Sequence, residues 1–188
     1  MNLSLYSINA FVILDSEGNR VLAKYYRPKS LQGHPQGESK DFLTLKEQKA
    51  FEKGLYAKTK KPGGDIILYD GHLAVYKHSL DLIIYFISGP SENELMISTA
   101  LNSLVDAMSL LLRNQLEKRG VLENLDLVLL CLDETVDDGI VVDTDAAAIA
   151  SRVSRSRPDT TEININEQTI MNAYQTVRDR VAQRIGQL

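Results

Sequence analysis

LTLKEQKAFEK (residues 43–53) and PSENELM (residues 90–96) begin the two helices around which the rest of the chain is organised. In the first segment, Thr44 can accept a hydrogen bond from the helix while the Glu47 side chain reaches back, which is a capping box. Ser91 and Glu94 have the same spacing in the second segment. Three strand-like segments with tight turns lie between these helix starts. This order predicts a sheet that helices cover on both faces.

Five segments have the apolar pattern and the flanking turns of β-strands. They cover residues 4–14, 21–26, 65–69, 73–78 and 81–88. The first segment is apolar on both faces, which predicts a central strand, and the last is also apolar on both faces. Short connections such as Asp70-Gly71 favour hairpins. Together the segments predict a mainly antiparallel sheet.

The helices predicted from apolar spacing differ in how much of their surface is apolar. The first, residues 45–58, has few apolar positions, so most of it should face water. The second, residues 92–113, carries a wide stripe with the three- and four-residue spacing of a core-facing helix. Residues 121–136 fit a strand or a buried helix, and their leucine content favours the helix. A further short helix is predicted for residues 145–155.

Lysines dominate the first helix and its surroundings. Seven lysines and three acidic residues lie between Lys40 and Lys61. Four of these lysines fall near one another at helical spacing: Lys46, Lys49, Lys53 and Lys60. A solvated helix face is one interpretation. The other is a contact with an acidic partner or an anionic membrane, to which each basic residue contributes about 1 kcal/mol.

The C-terminal part of the chain has a different composition. Residues 156–166 are typical of a linker, which divides the chain into a domain of residues 1–155 and a tail of residues 156–188. The tail carries a narrow heptad-like seam. Its apolar positions are Ile170, Tyr174, Val177, Val181 and Ile185. Such a thin amphipathic helix is expected to dock on its own domain or on a partner.

Composition excludes several classes of protein. The chain has 188 residues and a net charge of -4, which argues against general nucleic-acid binding. Its single cysteine, Cys131, rules out an internal disulfide and lies among leucines, where a buried thiol fits. Residues 1–7 lack the pattern of a signal peptide, and no apolar run is long enough to span a membrane. A cytosolic compartment is therefore expected.

Catalytic and metal-binding motifs are missing from the sequence. It contains no phosphate-binding glycine loop and no nucleophile elbow, and its three histidines lack the spacing of metal ligands. The acidic run of residues 133–145 fails the calcium-loop pattern, because Val136 falls on the third position when Gly139 is the sixth. We therefore predict no catalytic residue, no metal site and no cofactor.

Several motifs in fixed order resemble a known family. Leu14-Asp15, Gly18 and the run from Ala23 to Tyr26 resemble the first hairpin of the small subunits of vesicle coats. Four further segments are similar to the coatomer zeta subunits more than to the sigma subunits of clathrin adaptors. They are residues 46–53, 92–95, 122–124 and 133–140. The resemblance covers residues 5–155.

The resemblance implies an α+β, longin-like fold with a five-stranded antiparallel sheet flanked by helices on both faces. It implies a non-catalytic subunit that is clasped by the helical solenoid of the coatomer gamma subunit. An Arf-family GTPase recruits such coats to Golgi membranes, where they serve retrograde transport to the endoplasmic reticulum and intra-Golgi transport. The alternative is a free longin-type regulator of membrane fusion that acts through its C-terminal helix.

Overall fold

The computed structural model describes residues 7–26, 42–61 and 64–155. These residues form seven strands and five helices. In chain order they are β1 (Ala10–Asp15), β2 (Arg20–Tyr25), α1 (Leu45–Thr59), β3 (Ile66–Tyr69), β4 (His72–Ser79), β5 (Leu82–Ser88), α2 (Glu94–Leu111), α3 (Lys118–Glu123), α4 (Leu125–Thr135), β6 (Val136–Asp137), β7 (Ile140–Val141) and α5 (Ala146–Arg155). The five predicted strands are confirmed. The predicted seam of the tail lies outside the described residues, and the division at residue 155 stays a prediction.

The main sheet has five antiparallel strands in the order β2-β1-β5-β4-β3. The prediction that the first strand is central is confirmed, because β1 lies between β2 and β5. Phe11 of β1 pairs with Phe86 of β5, and their rings meet edge to face at 5.6 Å. Among the described residues, β2 and β3 are the two outermost strands of the sheet.

Each face of the sheet is covered by helices. Val12 and Leu14 of β1 pack with Phe51 and Leu55 of α1 on one face. The alternate residues of the sheet pack against α2, α4 and α5 on the other face, in a core that includes Phe11. Since successive strand residues point to opposite faces, a strand that is apolar throughout needs both layers. The predicted α+β fold with a longin-like sheet between helices is confirmed.

The start of α1 has the predicted capping box. The Glu47 backbone N–H donates to Thr44 Oγ1 at 3.3 Å, and the Thr44 N–H donates to Glu47 Oε2 at 3.0 Å. This arrangement satisfies two backbone donors that a helix start would otherwise leave unpaired. Further along the same helix, Phe51 and Leu55 pack on the sheet.

The predicted cap of α2 is wrong. Asn93, not Ser91, is the N-cap residue, and its Oδ1 accepts hydrogen bonds from the N–H groups of Leu95 and Met96 at 3.0 and 3.3 Å. Ser91 lies in a turn that the Glu92 N–H closes onto the Gly89 carbonyl. Asparagine caps a helix as well as serine does, so the spacing to Glu94 did not decide the start.

The region from residue 118 to residue 141 is more finely divided than the predicted single helix of residues 121–136. Leu127–Leu132 is helical as predicted, within α4, but Asn124 separates α4 from the short helix α3. Val136 begins the β6–β7 hairpin, whose turn residues Asp138 and Gly139 both have positive φ. A Cβ on Gly139 would lie 2.6 Å from the Ile8 carbonyl oxygen, so the close approach of these backbones requires glycine.

Candidate interaction surfaces

The histidines, the cysteine and the acidic side chains of the described residues are held in local contacts or apart from one another. No three His, Cys, Asp or Glu side chains within residues 7–26, 42–61 and 64–155 are placed to hold a metal ion. His72 Nδ1 lies 2.8 Å from the Asp70 carbonyl oxygen, and His78 Nε2 lies 3.1 Å from that of Thr59. Burial raises the pKa of the Cys131 thiol to about 12, so the thiolate needed for nucleophilic chemistry is not formed at neutral pH.

Most residues of the acidic run, residues 133–145, take part in ion pairs or in the cap of α5. Asp133 pairs with Lys24 of β2, and Arg152 of α5 contacts both Glu134 and Asp143. Asp145 accepts hydrogen bonds from the first N–H groups of α5. These contacts fasten α4, α5 and the sheet together, which is a structural role.

Three of the predicted lysines lie on one exposed face of α1, and the fourth, Lys60, is the C-cap residue that continues this face; the four are here called the lysine face. They are Lys46, Lys49, Lys53 and Lys60. At about 100° per residue they fall within about 60° of one another, on the side of the helix opposite to the buried Leu55. The structure therefore brings the four lysines to one solvent-facing side of the helix.

The acidic residues of α1 do little to neutralise the lysine face. The carboxylate of Glu52, which is 3% exposed, receives Arg20 Nε and Nη2 at 2.9 and 2.6 Å. The Tyr25 hydroxyl also donates to Glu52 Oε1 at 2.7 Å. Glu47 is engaged in the capping box. Sequence analysis missed the Arg20–Glu52 pair because the two residues are 32 positions apart and no local pattern links them.

A second surface was also missed by the sequence analysis. An open groove, here called the edge groove, crosses the free edge of β2 between α1 and the β6–β7 turn. It is lined by Ala23, Lys24, Tyr25, Tyr26, Gln48, Asp137 and Asp138. The Asp-Gly pair at residues 138–139 was a local signal for a hairpin turn. No sequence signal indicated that this turn lies beside β2.

Two further observations concern membranes and the tail. Within residues 7–26, 42–61 and 64–155, none of the helices has the length and apolar character needed to cross a bilayer. The seam predicted as a docking surface belongs to residues 170–185, outside the described part of the chain.

Comparison with known proteins agrees with this sheet-and-helix arrangement. The model of the clathrin adaptor complex small chain family matches residues 7–160. The coatomer zeta subunit of Saccharomyces cerevisiae is 35% identical over 99% of this chain and 98% of its own length. The chain belongs to the coatomer zeta group of the adaptor small chain family. Other zeta subunits match this adaptor small chain similarly: zeta-1 of Oryza sativa subsp. japonica is 39% identical (95% of this chain, 96% of its own), and zeta-1 of Homo sapiens is 37% identical (95% and 92%).

A structural comparison agrees with the fold of this zeta-type small chain. A chain of the homology model of the full-length AP-3 complex in a stretched open conformation aligns with a TM-score of 0.58 and 18% identity. The alignment covers 79% of this chain and 92% of that one. At this level of identity the likeness concerns the fold alone. The family and these relatives are named as subunits of a coat and of adaptor complexes.

Proposed function

We propose that this chain is a non-catalytic structural subunit of the coatomer (COPI) vesicle coat and forms an obligate pair with the coat's gamma subunit. The observation that carries the proposal is the extent of its likeness to zeta subunits from yeast, rice and human. Their matches span 95–99% of this chain at 35–39% identity, so the likeness includes the tail as well as the domain.

The exposed apolar surface of the domain supports a protein that a partner covers in the assembled coat. β3 forms a free edge of the sheet, and Ile66 and Leu68, which point to the same face, are exposed at 42% and 65%. An exposed apolar edge strand promotes association, so lone domains normally protect it. Obligate interfaces are large and apolar, and such an edge can form part of one.

The same proposal places the chain on the cytosolic face of Golgi membranes and on COPI-coated vesicles. An Arf-family GTPase would recruit it indirectly, together with the rest of coatomer. The transport steps are retrograde transport from the Golgi to the endoplasmic reticulum and intra-Golgi transport. The chain contributes no chemistry to these steps and acts by holding the coat together.

The lysine face suggests a second contact for the protein within the assembled coat. We infer that Lys46, Lys49, Lys53 and Lys60 face an anionic surface, and the membrane under the coat is the candidate that this arrangement favours. Exposed lysines on one side of a helix add their attraction to anionic lipids, and Glu52 does not offset them because it is held inside by Arg20. An acidic protein partner remains the alternative ligand for this face.

The experiment that tests the main proposal is a pull-down of the tagged full-length chain from cytosol, with partners quantified by mass spectrometry. Stoichiometric recovery of the gamma subunit with other coatomer subunits is expected. Recovery of the chain alone, or of SNARE-like helices, would contradict the proposal and favour the free fusion regulator. A full-length variant with Ile170→Asp and Val177→Asp tests that alternative, because a regulator acting through the tail seam would lose its partners.

A further inference from the structure

The turn between β4 and β5 holds a leucine in a backbone conformation that leucine rarely adopts. Leu80 has a φ of 47°, in the left-handed region that crowds the Cβ of an ordinary residue. The described residues contain two other two-residue hairpin turns, and their first residues have φ values of 50° and 47°. These turns are Asp70-Gly71 and Asp138-Gly139, which are residue types that tolerate the conformation. Leu80 is the exception among the three.

The Leu80 side chain gains no burial in return for this strain. It is 78% exposed, the highest value among the exposed large apolar residues that the structure describes. Leu80 belongs to neither of the two apolar cores. A single exposed leucine is ordinary, but strain and exposure at the same residue both lower the stability of the free domain. This combination indicates that the side chain is used outside the domain.

Hydrogen bonds on both sides of Leu80 hold the turn in place. The Ser79 hydroxyl donates to the Leu116 carbonyl oxygen at 3.1 Å, and the Lys118 N–H donates to Asp81 Oδ1 at 2.9 Å. Both contacts join the turn to the segment that links α2 to α3. A partner that binds the Leu80 side chain therefore does not need to order the turn first, which favours tight binding.

The surroundings of Leu80 favour a protein ligand over a lipid surface. Asp81 and Glu117 are exposed carboxylates at the turn and at the start of α3, and an anionic bilayer would repel them. The cations at the start of α3, Lys118 and Arg119, form ion pairs with carboxylates of this domain. A whole acyl chain gives only marginal membrane binding, so one leucine is far too small an anchor for a bilayer.

The shape of the turn determines which protein surface can receive it. One apolar side chain at the tip of a two-residue turn needs a concave apolar site, because only such a site surrounds it with contacts. Packed helices supply sites of this kind, since four side chains of a helix form a hole that a leucine knob fills. A partner built from helices therefore matches the Leu80 tip.

We propose that Leu80 is an apolar anchor that inserts between side chains of helices in the large coat subunit with which this chain pairs. The inference rests on the proposed function, because that subunit is the helical polypeptide meant. The free domain keeps Leu80 in a strained and exposed state, and binding buries the side chain. Stability of the free chain and affinity for the partner are thus opposed at this one position.

The test uses the full-length chain and the purified gamma subunit, with affinity measured by surface plasmon resonance and the melting temperature of each free chain measured in parallel. Leu80→Ala removes most of the side chain, and Leu80→Asn replaces it with a polar residue that accepts the left-handed conformation. Leu95→Ala is the matched control, because Leu95 is 71% exposed on the first turn of α2.

We expect Leu80→Ala to bind the gamma subunit about tenfold or more weakly, since a buried leucine would lose most of its apolar contact. Leu80→Asn should bind at least as weakly, yet its melting temperature should rise by about 2–4 °C as the strain is relieved. Leu95→Ala should bind like the wild-type chain. A leucine that served only the fold would show the opposite pattern, with lower stability and unchanged affinity.

Three results would overturn the anchor. If both Leu80 variants bind the gamma subunit as tightly as Leu95→Ala does, the anchor is wrong and the proposed function stands. If Leu80→Asn keeps that affinity but loses binding to phosphatidylserine liposomes, Leu80 contacts a membrane instead. Failure of the wild-type chain to bind the gamma subunit would overturn the proposed function and the anchor with it.

Discussion

Lys118 Nζ lies 2.9 Å from Asp15 Oδ2 and so joins the start of α3 to the end of β1 across 103 positions of sequence. Asp15 also accepts hydrogen bonds from the N–H groups of Asn19 and Glu17 at 2.8 and 3.0 Å. Desolvation opposes ionisation of this carboxyl, but these hydrogen bonds outweigh it and lower its pKa to about 2. One ionised side chain thereby fixes the β1–β2 turn and fastens it to the helical layer.

The depressed pKa of Asp15 predicts a stability loss in acid. Because the pKa falls from 3.8 to about 2 on folding, the carboxylate stabilises the fold above about pH 4, and this contribution is lost between about pH 4 and pH 2. After screening by solvent around Lys118, Asp15→Asn should cost about 1 kcal/mol at pH 7 and should flatten the loss in acid. Urea unfolding at pH 7 and pH 3 measures both effects. Asp126→Asn is the control, and an equal acid slope in the two variants would contradict the prediction.

The buried pair between Glu52 and Arg20 should contribute more than the surface pairs. Glu52→Gln would leave the Arg20 guanidinium, whose side chain is 22% exposed, without its carboxylate, and would weaken the Tyr25 hydrogen bond. We expect a loss of about 3 kcal/mol in the free energy of unfolding, measured by urea denaturation.

Glu123→Gln is the matched control for this prediction. Glu123 pairs with Arg119 four residues away on α3, where both side chains are exposed, so the substitution should change stability little. If the two variants lose the same stability, the buried position of Glu52 contributes nothing and the interpretation of the Arg20–Glu52 pair is wrong.

Local rules were sufficient for most of the fold. Strand alternation with turn residues such as Asp70-Gly71 gave the five strands, and the Thr44–Glu47 spacing gave the start of α1. These features depend on neighbours within a few residues, which a sequence displays directly. The start of α2 was misplaced because two good capping residues, Ser91 and Asn93, lie two positions apart, and choosing between them requires the backbone of the preceding turn.

The choice of Asn93 over Ser91 as the N-cap of α2 leads to a direct prediction. Asn93→Ala removes the acceptor for the N–H groups of Leu95 and Met96 and should cost about 1 kcal/mol in the free energy of unfolding. Ser91→Ala should cost close to nothing, because Ser91 lies outside the helix in the preceding turn. Thermal and urea unfolding of the two full-length variants would show the ranking. A larger loss for Ser91→Ala would restore the cap predicted from the sequence.

A candidate surface could be predicted from the sequence only where all of its residues belong to one helix or strand. The lysine face was found because its members repeat at helical spacing along α1, so the helix alone brings them together. The edge groove was missed because Tyr26 directly follows the second strand, whereas Asp138 lies in a turn more than a hundred positions later. Their proximity results from the packing of α4 and the β6–β7 hairpin against the sheet, which no local pattern encodes. The acidic run is continuous in the sequence, yet in the structure some of its residues form ion pairs and others line the edge groove.

The lysine face predicts an electrostatic contribution to membrane recruitment. Lys49 and Lys53 lie near the middle of α1 on its exposed side, so Lys49→Glu with Lys53→Glu reverses the charge without removing packing contacts. At about 1 kcal/mol per basic residue near an anionic surface, we expect the double variant to reduce recruitment of the assembled coat by tenfold or more at physiological salt. Sedimentation of coatomer containing the variant with Golgi membranes measures the effect.

A charge-matched control separates this local effect from the overall charge of the protein. Lys58→Glu with Arg113→Glu makes the same change in net charge at exposed positions outside the lysine face, so it should leave recruitment nearly unchanged. Liposomes with and without phosphatidylserine distinguish the two ligands of the face. If lipid is the ligand, the lysine variant loses binding only to the anionic liposomes, and the loss becomes smaller as salt screens the charges. A loss on Golgi membranes without any loss on liposomes would instead assign the face to an acidic protein, and unchanged recruitment in both assays would leave it as a solvated helix surface.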